Sequence, residues 1–328
     1  MAKKAGKVTK KRSSAKAVKA KSEVRVKPRR LKQSKYKTLK LHKRIKHSAK
    51  LPNVWQLTRQ AALTLWGRKD LFIGITLIYG VLDLVLAQGV SGGTNVSTLK
   101  HSLSQASNGH FNGLASGVGV FALLIGSAGN KSSPAAGTYQ LFLTVIVSLA
   151  IIWALRQVLA GAKLRIRDAF YRGMYPLVPF ILVLLVVSLQ LLPLLIGSLV
   201  YGLVTTNGIA AYFIEKLLWA LLYILLALLS LYMISSSLFA VYIVTLPDMT
   251  PLKALRSARE LVRHRRWTVL RKILWLPLFL LVVAAVIMVP IIIWLTPVAQ
   301  WAFFALTMFS LIAVHSYMYT LYRELLNE

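Results

Sequence analysis

Residues 162–200 read AKLRIRDAFYRGMYPLVPFILVLLVVSLQLLPLLIGSLV, and from Tyr175 to Val200 this stretch contains no charged residue. A helix rises about 1.5 Å per residue, so about 20 apolar residues in a row cross the hydrocarbon core of a bilayer. There is no water in that core to satisfy peptide groups, and a helix satisfies its own. The half before Tyr175 is of the opposite kind: Lys163, Arg165, Arg167 and Arg172 stand against a single acid, Asp168. Lys and Arg in short loops stay on the cytoplasmic side. The stretch therefore reads as an inside loop followed by a spanning helix.

Outward in both directions the same two features recur. Apolar segments long enough to span occupy 71–90, 138–161, 175–200, 216–246, 273–295 and 298–322. Only Thr296 and Pro297 part the last two, which predicts a tight hairpin or one interrupted helix. Residues 247–272 carry Lys253, Arg256, Arg259, Arg263, Arg265, Arg266, Arg271 and Lys272 against Asp248 and Glu260. The alternate loops are poor in charge: 91–137 hold Lys100 and Lys131, and 201–215 hold Glu215. Every basic loop falls on the side of the N-terminal tail. The expected fold is all-α, a polytopic bundle of six spans in three hairpins, with both termini in the cytoplasm. A bacterial plasma membrane is the expected location. The first apolar segment begins near Leu71, too late for a cleavable signal peptide, so it is expected to remain as an anchor.

Charge separates the chain into two domains, 1–50 and 51–328. Lys and Arg number 41 against 9 Asp and Glu, and 24 of the 41 lie within residues 1–69, where Glu23 is the lone acid. Residues 1–50 have almost no bulky apolar residue before Leu31. Such a segment buries too little surface to offset the entropy of ordering, so a disordered basic cytoplasmic tail is expected. Three roles suit it. Anionic phospholipid headgroups attract each Lys or Arg near a membrane surface by roughly 1 kcal/mol. Nucleic acid, including the ribosome's RNA, attracts them through phosphate contacts. The third role is a solvated topogenic tail with no ligand. Tyr36 is its one aromatic residue, which weighs against stacking on single-stranded bases.

Three segments share one layout. They are VWQLTRQAALTLWGRKD (54–70), KLRIRDAFYRGM (163–174) and TPLKALRSARELVRHRRW (250–267), each a basic amphipathic stretch with an aromatic–basic patch ahead of a span. In the third, Leu252, Leu255, Ala258, Leu261 and Val262 recur at helical spacing. Thr250 followed by Pro251 is a helix start. A basic amphipathic helix suits the headgroup boundary. The candidate lipid-headgroup contacts are thus Arg165, Arg167, Arg172, Lys253, Arg256, Arg259, Arg263, Arg265 and Arg266, with Trp66, Tyr171 and Trp267 marking the interface.

With Pro251, Ala254, Leu255 and Ser257 in a P-x-x-A-L-x-S pattern before a span, and IRDAFYRGMYPLVPF one hairpin earlier, the chain resembles bacterial multi-pass proteins of the glycerophosphodiester-phosphodiesterase membrane-domain and YciC-like type. The resemblance covers roughly residues 54–322 and implies helical hairpins led by basic segments. The phosphodiesterase chemistry of some such proteins lies in a separate soluble domain. These 328 residues contain none, so that activity is not implied.

The sequence contains no HExxH, Walker A or GxSxG motif, and no cysteine. The last fact removes disulfides, thiolate metal sites and cysteine nucleophiles. A non-enzymatic protein without cofactor or metal is expected. GLASGVGVFALLIGSAG (113–129) reads as an outer loop segment that re-enters the membrane or lies on it, because a seventh span would put the termini on opposite sides. Ionisable and polar groups inside spans are the default functional candidates, here Asp83, Arg156, Gln190 and His315. They fit either a polar path or hydrogen bonding between helices. Three functions follow: engagement of the anionic inner leaflet by the basic tail and belt, a transporter or permease component with a polar site near Asp83, and a membrane tether for ribosome or nucleic acid.

Overall fold

The computed structural model describes residues 52–87, 113–127, 133–162, 164–210, 212–263 and 265–327. The tail of residues 1–50 lies outside the described residues, as do all roles expected of it. The described residues form helices without a strand. In order they are α1 (Val54–Trp66), α2 (Lys69–Leu86), α3 (Gly113–Ser127), α4 (Pro134–Leu159), α5 (Ile166–Gly173) and α6 (Leu177–Gln190). Then follow α7 (Leu192–Thr206), α8 (Phe213–Ser237), α9 (Ala240–Ile243), α10 (Pro251–Val262), α11 (Arg266–Trp294) and α12 (Thr296–Asn327).

Among the described residues five helical segments are long and apolar enough to cross a membrane: Pro134–Leu159, Leu177–Thr206, Phe213–Ile243, Arg266–Trp294 and Thr296–Leu326. They cover five of the six expected spans. The first expected span, 71–90, corresponds to α2, which carries Lys69, Asp70 and Asp83 within its 18 residues and is not among the five. Several details differ from the sequence expectation. The third span breaks at Leu191 into α6 and α7, because Pro193 at the start of α7 has no N–H to continue the ladder. Ser230 of α8 repairs the break: its hydroxyl donates to the Gln190 carbonyl at 2.9 Å and accepts the Leu194 N–H at 3.1 Å. The fourth span loosens between α8 and α9. By contrast, Pro277 and Pro290 are both accommodated inside α11. The last two spans part at Leu295, and α11 and α12 pack against each other.

Residues 113–127 are a helix, not the loop segment expected from their glycines. Gly costs a helix interior about 1 kcal/mol, but Val120, Phe121 and Leu124 bury against Met288 and Ile292 of α11 and Ala299 of α12. Tertiary packing overrides the local preference. Gly117 has a use there, since a Cβ at that position would lie 3.1 Å from Ile293.

The three amphipathic segments all form helices, α1, α5 and α10, and each buries a short stripe at one-turn spacing: Leu57 and Ala61, Ala169 and Gly173, Ala254 and Ala258 with Val262. None of them packs chiefly on the helices that follow it. α5 docks on α4, with α2 beside it. α10 docks on α8 and α9, with α6 beside them. α1 docks on α12. Each basic helix is thus seated on the preceding pair of long helices, and the first is seated on the last, which closes the order into a ring. Small residues make the contacts close. A Cβ on Gly173 would meet the backbone of Ala150 at 3.1 Å, and Ser316 of α12 donates to the Ala61 carbonyl at 3.0 Å.

Candidate functional site

Polar residues from three segments meet where α4, α9 and α12 come together. His315 of α12 has Ser148 Oγ of α4 at 2.9 Å from Nε2 and Tyr242 Oη of α9 at 3.1 Å from Nδ1. A neutral imidazole offers one donor and one acceptor, and either hydroxyl can play either part, so both nitrogens are satisfied. Two turns farther along α4, Arg156 donates to the Thr245 carbonyl at 2.8 Å and to the Thr245 hydroxyl. Between the two levels lie the rings of Tyr242, Tyr319 and Tyr322, with centroids 6.0–6.2 Å apart. Ser148, Tyr242 and His315 are all buried.

This hub brings together two of the four polar residues singled out in the sequence, Arg156 and His315, through Tyr242 and Thr245. The other two stand apart. Gln190 lies at the α6–α7 break; its carbonyl is held by Ser230, while its side-chain Oε1 is buried without a donor. Asp83 is 1% exposed on α2, one turn beyond Tyr79, whose hydroxyl lies 3.1 Å from Thr144 Oγ1 of α4. Gly80, just before Asp83, faces Phe304 and Met308, about two turns or more from His315 along α12. Tyr242 and Thr245 were missed in the sequence because an aromatic and a hydroxyl near the end of a span are ordinary there.

The second candidate region is the belt of basic helices. Arg156–Thr245, Ala61–Ser316 and the bond from Lys272 Nζ to the Pro52 carbonyl tie α1, α9 and the ends of α4 and α12 to one end of the bundle. The belt helices gather at that end. Arg165, Arg167, Arg172, Lys253, Arg256, Arg259 and Arg263 are exposed, and Arg265 and Arg266 are half-buried. Trp66, Tyr171 and Trp267 are 75%, 74% and 81% exposed. Each repeat of the layout contributes a cation over an aromatic ring: Lys69 over Trp66 at 5.9 Å, Arg167 over Tyr171 at 5.2 Å and Arg266 over Tyr232 at 4.5 Å. Lys272 departs from its sequence assignment to the basic loop. It is 3% exposed inside α11 and clasps the start of α1. The lysine's long stem lets the ammonium travel to the helix end, where a carbonyl waits.

No group of three or more His, Cys, Asp and Glu residues that could hold a metal is found among the described residues. No protein family, no curated protein and no solved structure matches the chain.

Proposed function

We propose that this chain is a non-enzymatic polytopic membrane protein whose basic helices engage the anionic inner leaflet. In this reading α2 completes a set of six spans in three hairpins, and both termini face the cytoplasm of a bacterial cell. The observation that carries it is the gathering of α1, α5 and α10 at one end of the bundle, each with a short buried stripe inward and at least one exposed arginine outward: Arg59 on α1, Arg167 and Arg172 on α5, Arg256 and Arg259 on α10. Cations at such a boundary lower the cost of their own desolvation by meeting lipid phosphates, and the aromatic partners sit where ring and headgroup both find company. The saturated hydrogen bonding of His315 supports a structural role for the hub rather than a conduit. Loose polar groups are what a permeant needs, and these are already engaged.

The test uses the full chain in phosphatidylcholine vesicles with tracer amounts of dansyl-labelled lipid. Energy transfer from the tryptophans to dansyl-phosphatidylglycerol should exceed transfer to dansyl-phosphatidylcholine. The excess should shrink in 1 M salt, where the screening length falls to about 3 Å. Equal transfer to both lipids at low salt would refute the reading.

A further inference from the structure

One concavity joins the basic belt to the apolar flank of the bundle. It lies between α8 and the elbow where α10 gives way to α11, and it encloses about 830 Å³. That is within the range of pockets that take small organic ligands, roughly 300–1,000 Å³. One wall is made by Leu225, Leu228 and Leu229 of α8, all exposed. The rim at the belt end is made by Arg263, Arg265, Arg266 and Trp267. Among the described lining residues there is no carboxylate.

We propose that this groove binds one anionic glycerophospholipid from the leaflet that meets the basic helices. The proposal rests on the reading that the belt lies at an anionic membrane surface, and it names a site and a ligand class within that reading. Three observations select the occupant. The groove is polarised: from Leu225 to Ser235 the lining runs from leucines to the arginine rim, and at 1.5 Å per residue this is about 15 Å. That matches half of the roughly 30 Å hydrocarbon core, the depth of one leaflet's acyl chains. Charge selects a phosphate: guanidinium groups grip it by two parallel N–H donors, and Arg263, Arg265 and Arg266 all line this rim. The rim is also set in place. Arg266 is stacked over Tyr232 at 4.5 Å, which engages the face of the guanidinium and not its edge donors. It stands at the first residue of α11, so the positive end of a 29-residue helix adds to the field. A soluble phosphate or a nucleic acid would satisfy the arginines and leave the leucine wall unused. A zwitterionic lipid would satisfy the wall and return part of the charge.

The experiment is native mass spectrometry of the full-length protein, released from nanodiscs holding equal amounts of phosphatidylglycerol and phosphatidylcholine with identical chains. One phosphatidylglycerol should be retained about tenfold over phosphatidylcholine. The triple variant Arg263→Gln, Arg265→Gln, Arg266→Gln should lose that preference. Leu229→Trp, which fills the wall and keeps every arginine, should reduce retention of both lipids about tenfold. Leu217→Trp, farther along α8 and outside the groove, should behave as wild type and shows that an added indole is tolerated. Should the triple variant fail to fold, judged by elution profile and melting, Leu229→Trp and Leu228→Trp carry the test. Excess glycerol phosphate should displace nothing. The proposal is overturned if wild-type protein retains the two lipids equally, if Leu229→Trp leaves retention unchanged, or if glycerol phosphate displaces the lipid and so identifies a soluble-anion site. In each case the energy-transfer preference for dansyl-phosphatidylglycerol still reports on the belt by itself. Its survival keeps the broader reading while the groove fails, and its absence refutes both.

Discussion

His315 Nε2 lies 2.9 Å from Ser148 Oγ, in a buried place where α12 crosses α4. A second contact from the same ring, to Tyr242 at 3.1 Å, brings in α9. One imidazole therefore holds three segments that are far apart in sequence. Hydrogen bonds between membrane helices average about 0.6 kcal/mol and reach about 1.7. His315→Ala removes both contacts and should destabilise the protein by about 1–3 kcal/mol, since it also leaves two hydroxyls unsatisfied. Ser148→Ala removes one and should cost about 0.6 kcal/mol. Unfolding in mixed micelles by titrated SDS measures both. A double-mutant cycle should return a positive coupling, and additive losses would mean that the contact contributes nothing.

Arg156 reaches the Thr245 carbonyl and hydroxyl together, which a fork-shaped guanidinium does and an ammonium does not. Arg156→Lys keeps the charge and should still lose about 1 kcal/mol or more. Thr245→Val in the Arg156→Lys background should then cost much less than in the wild type. The same SDS titration measures the pair.

Close packing under the belt yields a steric prediction. A Cβ on Gly173 would approach the Cα of Ala150 to 3.1 Å and the Leu149 carbonyl to 3.2 Å, and both are backbone. Backbone yields little, so Gly173→Ala should destabilise by about 1–3 kcal/mol, the usual cost of overpacking. Gly137→Ala, where nothing lies within 4 Å, should be neutral or slightly stabilising. If the two behave alike, α5 is not seated on α4 as described.

Lys272 Nζ bonds the Pro52 carbonyl, and Tyr317 Oη donates to the Lys272 carbonyl at 3.0 Å. The lysine thus ties α1 to α11, and Tyr317 ties α11 to α12. Hydrogen bonds to a charged group contribute about 1.5–3 kcal/mol. Lys272→Met should therefore speed amide exchange across α1 by about tenfold or more, while exchange in α5 stays unchanged. Hydrogen exchange read by mass spectrometry reports this directly.

Much of this arrangement was legible in the sequence, and the reasons differ by element. Five long apolar segments announce themselves because hydrocarbon tolerates few charges and a fixed length. The amphipathic helices were legible from apolar residues at helical spacing, although the face of α10 is turned from the expected one at its start: Leu252 is 79% exposed, and Ala254, Ala258 and Val262 are the buried residues. α3 was not, because its glycines speak against a helix and the residues that hold it, Met288 and Ile292, are more than 150 positions away. The order in which basic helices dock was also hidden. Positive charge places α5 at one end of the bundle, but only contacts such as Gly173 to Ala150 say which pair it sits on. Of the four polar candidates, Arg156 and His315 converge through Tyr242 and Thr245, which an inventory of ionisable groups passes over. Asp83 and Gln190 stand away from that hub, Asp83 on α2 one turn beyond Tyr79 and Gln190 at the α6–α7 break.

The central claim is that α1, α5 and α10 share one face of the membrane and that the turn between α11 and α12 lies on the other. The chain has no cysteine, so single substitutions report without background. Gln60→Cys, Arg172→Cys and Lys253→Cys would place one thiol on each belt helix, and Trp294→Cys one at the opposite turn. A membrane-impermeant maleimide applied to inside-out vesicles should label the first three and spare the fourth, and right-side-out vesicles should give the reverse. Labelling of any two belt positions from opposite sides would contradict the account.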